Sequence, residues 1–407
     1  MNAIELETRY GAHNYAPLPV VLTRGEGAHL WDTAGRRYTD MMSAYSAASL
    51  GHSHPRIVAA LAAQARRLAV PSRAYYNDRL GPFLAELCRL TGLDAVLPMN
   101  TGVEAVETAI KAARRWGYRV KGVPKDRAEI IVADGNFHGR TTTVISFSSE
   151  PDYRDGFGPF APGFRRVPFG DIAALEHAMR PETVAVLIEP IQGEAGVIVP
   201  PAGWLGAVRR LCDAREVLLI LDEVQSGLGR TGAWFAFEHE GVRPDGLILG
   251  KALGGGVLPV SAFVARAEVM DVFTPGSHGS TFGGNPLAAA VGLEALHVIR
   301  DEELVQRSRA LGAHMLERLR AIKSPALKNV RGRGLWAGAE IDPRFAGARE
   351  ACERLLAKGV LSKETHDTVV RLAPPLVIAR DDLDRALDCF EEVVRELERA
   401  PGQPAAA

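Results

Sequence analysis

The apolar positions follow two regimes. Between residues 95 and 264, short unbroken apolar runs alternate with stretches whose apolar residues recur at helical spacing. The runs at 95–99, 129–133, 183–189, 217–221, 247–249 and 259–264 are bounded by charge, glycine or proline. Runs of this length without polar alternation read as strands buried on both faces. Helices are expected from about 102 to 116 and over 202–215. The regular β/α alternation predicts an α/β fold with a mostly parallel, doubly wound sheet.

Outside that stretch the pattern changes. Residues 1–20 are mixed, and Tyr15 leads into Pro17 and Pro19, which favour an extended segment. Residues 20–41 alternate apolar and polar positions across two glycine turns and predict a small antiparallel meander. Helices are expected at 55–68, where Pro55 suits a first turn, at 78–90, and at 286–299 behind a small-residue loop. Beyond about 300 the spacing predicts helices at 302–322, 346–358 and 381–397, with strands at 335–341 and 368–372. The expected division is an N-terminal segment with the meander (1–45), a large α/β domain (46–300) and a smaller α+β domain (301–407), with residues 401–407 frayed.

Composition narrows the function classes. Apolar residues make up 47% and charged residues 24% of 407, with a formal net charge of -1, so no basic field suggests a nucleic-acid partner. Cys88, Cys212, Cys352 and Cys389 are scattered without CxxC spacing, which suits a reducing compartment better than disulfides or zinc. No apolar run approaches the ~20 residues that span a bilayer. No secretory signal opens the chain, and the expectation is a cytoplasmic protein.

The candidate chemistry centres on residues 217–256. One apolar run breaks at Asp222-Glu223, the next at Gly250-Lys251. Ligands of open α/β sheets sit beyond the carboxyl ends of such strands, so a carboxylate and an amine are sent to one edge. Pyridoxal phosphate needs such a pair from a protein. Alone, Asp222 also reads as a turn or cap residue and Lys251 as a solvated loop residue. A phosphate-binding P-loop is excluded: Gly246 is one residue too close to Gly250, and Ala252 replaces the hydroxyl. Thr101 and Glu104 fit a capping box, while the Gly102 and Val103 N–H groups could bind a phosphate at the same helix start. Phe137, in a turn between Gly135 and Gly139, reads as a loop anchor or as an aromatic that stacks on a flat ring. His52 and His54 form an HxH and His138 follows Phe137, but no third ligand is near, so no metal site is expected.

With these residues placed, nearly the whole chain resembles the class III aminotransferases, pyridoxal-phosphate enzymes of fold type I. The likeness rests on PMNTGVEA at 98–105, EPIQGEAG at 189–196, DEVQ at 222–225, LGKAL at 249–253 and GSTFGGNP at 279–286. The resemblance implies pyridoxal 5'-phosphate, with Lys251 as the Schiff-base lysine and Asp222 paired to the ring nitrogen. It further implies Gln225 on the ring 3-hydroxyl, Phe137 stacked on the ring, and Gly102 and Val103 on the phosphate. Ser280 and Thr281 match phosphate contacts supplied by a second subunit, which implies a homodimer. Arg140 and Arg371 match a pair of carboxylate-binding arginines, with Glu194 neutralising Arg371 in one half-reaction. Tyr15 and Tyr45 match aromatics lining the amino-donor side. Tyr45, Glu194, Arg371 and Gly250 tilt the likeness toward the branch that moves the δ-amine of L-ornithine to 2-oxoglutarate. The alternatives are the N-acetylornithine branch and a binding protein that keeps the fold without turnover. His138 departs from an aromatic found there in some relatives.

Overall fold

The computed structural model describes residues 1–399; the tail expected to fray, 401–407, lies outside them. Fifteen strands form three sheets among the described residues. The meander is β1 (Leu22–Glu26), β2 (His29–Asp32) and β3 (Arg37–Asp40), antiparallel in sequence. The central sheet uses β4 (Ala95–Met99), β5 (Glu129–Ala133), β6 (Phe164–Val167), β7 (Thr183–Ile188), β8 (Leu218–Asp222), β9 (Gly246–Leu249) and β10 (Ser261–Ala265). Its order is β4-β10-β9-β8-β7-β5-β6. All neighbours run parallel except β10, which is antiparallel to both β4 and β9.

The unbroken apolar runs have a direct cause. Every residue of β7 and β8 is buried. Leu219 and Leu221 of β8 join one hydrophobic core and Leu218 and Ile220 the other, because successive side chains point to opposite faces. Each such Leu or Ile contributes roughly 1.5–3 kcal/mol by burial. Both cores are roofed by helices, among them Gly102–Trp116 on one face and Trp204–Ala214 on the other.

The remaining strands are β11 (Leu327–Gly332), β12 (Ala337–Ile341), β13 (Val360–Leu361), β14 (Lys363–Thr365) and β15 (Val369–Leu372). Four of them form an antiparallel sheet ordered β11-β12-β15-β14. The fifth, β13, pairs parallel with β3, so the N-terminal meander and the C-terminal region share a sheet. Helices Leu304–Ala321, Ala348–Ala357 and Arg380–Arg399 cover this end of the molecule. A further helix, Ala3–Tyr10, opens the chain where no regular element is expected. Its Asn2 and Glu5 form a reciprocal capping box, and none of its residues is buried. No helix among the described residues is long and apolar enough to cross a membrane.

Candidate functional site

The carboxyl ends of β5, β7, β8 and β9 open on one cavity of about 320 Å³. Lys251 and Asp222 line it, together with Gly102, Val103, Phe137 and Gln225. Lys251 stands just past β9, after Gly250, and holds φ +45, a left-handed conformation that a residue with a Cβ adopts at a cost of about 1–3 kcal/mol. Burial lowers the pKa of its amine below the ordinary lysine value, against the opposing pull of Glu194.

Asp222 ends β8. Its Oδ1 accepts the Val224 N–H at 3.0 Å, and its Oδ2 lies 2.7 Å from His138 Nδ1. Glu189, just past β7, accepts the N–H groups of Phe137 (3.0 Å) and Gly193 (3.3 Å). Burial pushes its pKa up to about 7. Glu189 thereby anchors the Phe137 turn to the neighbouring strand end. Gly139 makes this turn possible. It holds φ +122, and a Cβ there would lie 2.4 Å from the Val103 side chain. The Phe137 turn is thus pressed against the start of helix Gly102–Trp116. That helix carries the Thr101–Glu104 capping box, which uses the Glu104 N–H. The N–H groups of Gly102 and Val103 stay without an acceptor among the described residues.

A second group of side chains meets the cavity wall at Gln225. Arg371, on β15, is buried and grips Glu194 with both ends of its fork, at 2.9 and 3.0 Å. Burial alone would raise the Glu194 pKa, but the Arg371 charge and hydrogen bonds override it and lower it to about 2. Gln225 Nε2 donates to Glu194 at 3.2 Å, so its amide is turned toward this pair. The Arg371 guanidinium lies 5.1 Å from the centre of the Tyr45 ring. Tyr45 sits in a turn, Ser43 to Ser46, whose four residues all have positive φ. Arg230 braces that turn. It is fully buried and donates to Ser43 Oγ (3.0 Å), Ser49 Oγ (2.8 Å) and the carbonyls of Leu335 (2.9 Å) and Pro374 (2.6 Å).

The remaining candidates lie further out. Arg140 lines the cavity with its guanidinium 3.5 Å from the centre of the Tyr153 ring. Tyr15 is 81% exposed. Its segment is held by Arg349, which donates to the carbonyls of Ala16 (2.9 Å) and Pro17 (3.1 Å). Ser280 and Thr281 do not line this chain's own cavity. Ser280 Oγ accepts from Asn100 Nδ2 at 2.9 Å, and Thr281 and the adjacent Phe282 are exposed.

Sequence reasoning missed Tyr153 and Arg230, which stand in no spacing that announces a contact. It noted His138 without assigning it a contact, and it read Glu189 only as the end of an apolar run and the start of a family string. No group of three or more His, Cys, Asp or Glu suited to a metal occurs among the described residues. Two more open clefts, about 400 and 650 Å³, lie at the amino ends of β8 and β9. Their central charge, Asp245, is already paired with Arg209 (2.8 Å) and Arg266 (3.1 Å).

The chain belongs to the class III aminotransferases. The family model "Aminotransferase class-III" matches residues 10–394. The protein is therefore an aminotransferase, of a family whose members use pyridoxal phosphate. It is 55% identical over 395 residues to an ornithine aminotransferase of Brevibacillus brevis, covering 97% of this chain and 98% of the relative. It is 56% identical over 397 residues to an ornithine aminotransferase of Bordetella pertussis, covering 98% and 96%. Among solved structures, the ornithine aminotransferase of Toxoplasma gondii, described with partial occupancy of PLP at its active site, aligns with a TM-score of 0.96. It is 45% identical and covers 97% of this chain and 94% of that one. An acetylornithine aminotransferase of Elizabethkingia anophelis aligns with a TM-score of 0.89 at 51% identity, covering 97% and 98%.

Proposed function

We propose that the protein transfers the δ-amine of L-ornithine to 2-oxoglutarate. The products are glutamate 5-semialdehyde, which cyclises to pyrroline-5-carboxylate, and glutamate. The two half-reactions share one cavity in a ping-pong cycle. The observation that carries the reading is the fork-on-fork pair of Glu194 and Arg371 beside Tyr45. A site that takes a δ-amine first and a dicarboxylate second needs one cation that can be covered and uncovered. Arg371 in contact with Glu194 presents no free positive charge to ornithine. Swinging Glu194 away offers a planar fork to 2-oxoglutarate. Arg140, stacked rather than ion-paired, stays available for a carboxylate throughout. Tyr15 and Tyr45 line the ornithine side, with Tyr15 a hydrogen-bond partner for the α-amino end.

The residues present fit pyridoxal phosphate. A buried amine and a buried carboxylate face one cavity, and two free N–H groups stand at a helix start, where the helix dipole favours an anion. When bound, the cofactor supplies the aldehyde that takes up the amino group and a ring that draws electrons from the substrate carbon. Lys251 would hold the cofactor through its amine, and as a free amine it would serve as the base that takes the proton from the substrate carbon. Its lowered pKa suits a group that must act as a base. Asp222 keeps the ring nitrogen protonated. Gly102 and Val103 hold the phosphate, Phe137 covers one ring face, and Gln225 reaches the 3-hydroxyl when it turns from Glu194. Ser280 and Thr281 complete the phosphate site of a second copy, so the working unit is a homodimer. The exposed Thr281 and Phe282 support that reading.

N-Acetylornithine is the substrate to exclude. Its blocked α-amine carries no charge, so the two donors differ where Tyr15 and Tyr45 lie. Steady-state comparison should show kcat/KM for ornithine well above that for the acetylated form. A clear preference for the acetylated donor would overturn the assignment.

A further inference from the structure

The segment that carries Tyr15 is held to the rest of the chain at few points. Residues 11–17 are all exposed, and Leu18 beyond them packs against the hydrophobic core. Pro17 and Pro19 lack an N–H, so the stretch is a poor addition to a sheet edge and its carbonyls are the handles left. From Ala12 to Val20 the remaining hydrogen bonds are local: His13 Nε2 to the Thr8 carbonyl, and the Val20 N–H to the Leu18 carbonyl. Among the described residues, the only ones that reach further come from Arg349. Its fork donates to the carbonyls of Ala16 at 2.9 Å and Pro17 at 3.1 Å.

Arg349 stands in the first turn of helix Ala348–Ala357. Its Nε donates to Glu353 at 2.9 Å, and Glu364 lies 3.4 Å from the fork. Two carboxylates thus fix the plane of the guanidinium. Glu364 lies on β14, the edge strand of its sheet, and the next residue, Thr365, donates to the Glu194 carbonyl. The Tyr15 segment is therefore tied to the strand that also holds Glu194. Burial raises the Tyr45 pKa, and the charged neighbours acting on its hydroxyl include Glu194, Arg371, Tyr15 and Glu364. Tyr15 and Tyr45 thus share one neighbourhood.

We propose that Arg349 is a positioning residue for the amino donor: its grip on the Ala16 and Pro17 carbonyls seats Tyr15 beside Tyr45 and so sets the preference for a donor with a free α-amine over an acylated one. The inference rests on the reading of the protein as an ornithine δ-aminotransferase with Tyr15 at the α-amino end. Arg349 does not line the cavity and acts through the segment it holds. A planar fork holds two successive carbonyls at once, whereas a lysine in its place is a single point charge on a flexible stem. The acceptor half-reaction draws on Arg140 and Arg371, which this segment does not carry.

Single-turnover absorbance of the holoenzyme separates the half-reactions. Ornithine and N-acetylornithine are each mixed with the aldehyde form, and 2-oxoglutarate with the amine form, in wild type, Arg349→Lys and Arg349→Ala. The specificity constant for ornithine should fall about tenfold in Arg349→Ala, the scale of hydrogen bonds from a charged group, and about threefold in Arg349→Lys. The ratio of ornithine to N-acetylornithine should fall by similar factors, with 2-oxoglutarate within about twofold of wild type. A general structural role would lower all three together. Arg349→Lys keeps the charge beside Glu353 and Glu364 and decides the same ratios should Arg349→Ala not fold. Adding either substitution to Tyr15→Ala should cost ornithine nothing further. Equal losses for ornithine and 2-oxoglutarate, an unchanged donor ratio, or losses that add in full in the double variant would overturn the inference alone. A wild type that itself prefers N-acetylornithine would overturn the substrate reading and this inference with it.

Discussion

Glu189 and Glu194 stand five positions apart on one loop, the first buried and the second half-buried, and they carry opposite electrostatics. Glu189 accepts two backbone N–H groups and has no arginine in contact; its pKa rises to about 7. Glu194 is clasped by the Arg371 fork and falls to about 2. Burial is the leading influence on both and pushes both upward. The partner decides the charge, and the charge decides the use. Glu189 serves as an anchor for the Phe137 turn. Glu194 is held as an anion, the group that the proposed switch swings on and off the fixed Arg371 fork.

Removing the cation should break this contrast most strongly. Arg371→Met leaves Glu194 buried without its partner, a loss of about 3–5 kcal/mol for a broken buried pair. It also removes the fork proposed for 2-oxoglutarate. The expected result is a fall in kcat/KM for 2-oxoglutarate of about a thousandfold or more, with a lower melting temperature; a fall under tenfold would contradict the assignment.

Removing the anion is the next test. Glu194→Ala uncovers Arg371, and the rate with glutamate relative to ornithine should rise by about tenfold, near 1.4 kcal/mol of lost discrimination. Single-turnover absorbance with each amino donor measures the ratio. An unchanged ratio would remove the switch from the mechanism.

The two glutamates should also differ in how they link stability to pH. The folded pKa of Glu194 is depressed, so its contribution is full above about 4.5 and is lost as pH falls toward about 2. Denaturant titrations at several acidic pH values should show a shallower acid loss in Glu194→Gln than in wild type. The folded pKa of Glu189 is raised, so the neutral form is favoured and stability declines as pH climbs from about 4.5 through about 7. Glu189→Gln should flatten that decline, the smallest of these effects. Identical slopes for wild type and variant would mean that Glu189 is ionised at both ends of the range.

The same contrast explains what was legible in the sequence. Asp222 and Lys251 could be read because each interrupts an unbroken apolar run, and such runs mark strands buried on two faces. β6 could not, because Phe164–Val167 carries Arg165 and Arg166 on the sheet's edge, where polarity is tolerated. β13 and β14 span two and three residues, too few to show a period. Helix Ala3–Tyr10 did carry a signal, Asn2 followed three residues later by Glu5, within a segment expected to be irregular. In the site, nothing local links Glu194 to Arg371 across 177 residues; only the family likeness put them together. His138 reaching Asp222 follows from the register of β5 beside β7 and β8, which no single stretch of sequence encodes.

The pairing of β3 with β13, and Arg230 donating to both Ser43 and Pro374, sew the beginning of the polypeptide to its last third. Tyr45 is thereby held beside Arg371, while Lys251 and Asp222 stand at the strand ends of the central sheet. Anyone transplanting donor preference between two enzymes of this kind would have to move both ends of the chain as one graft. Glu194, from the middle of the chain, would have to go with them.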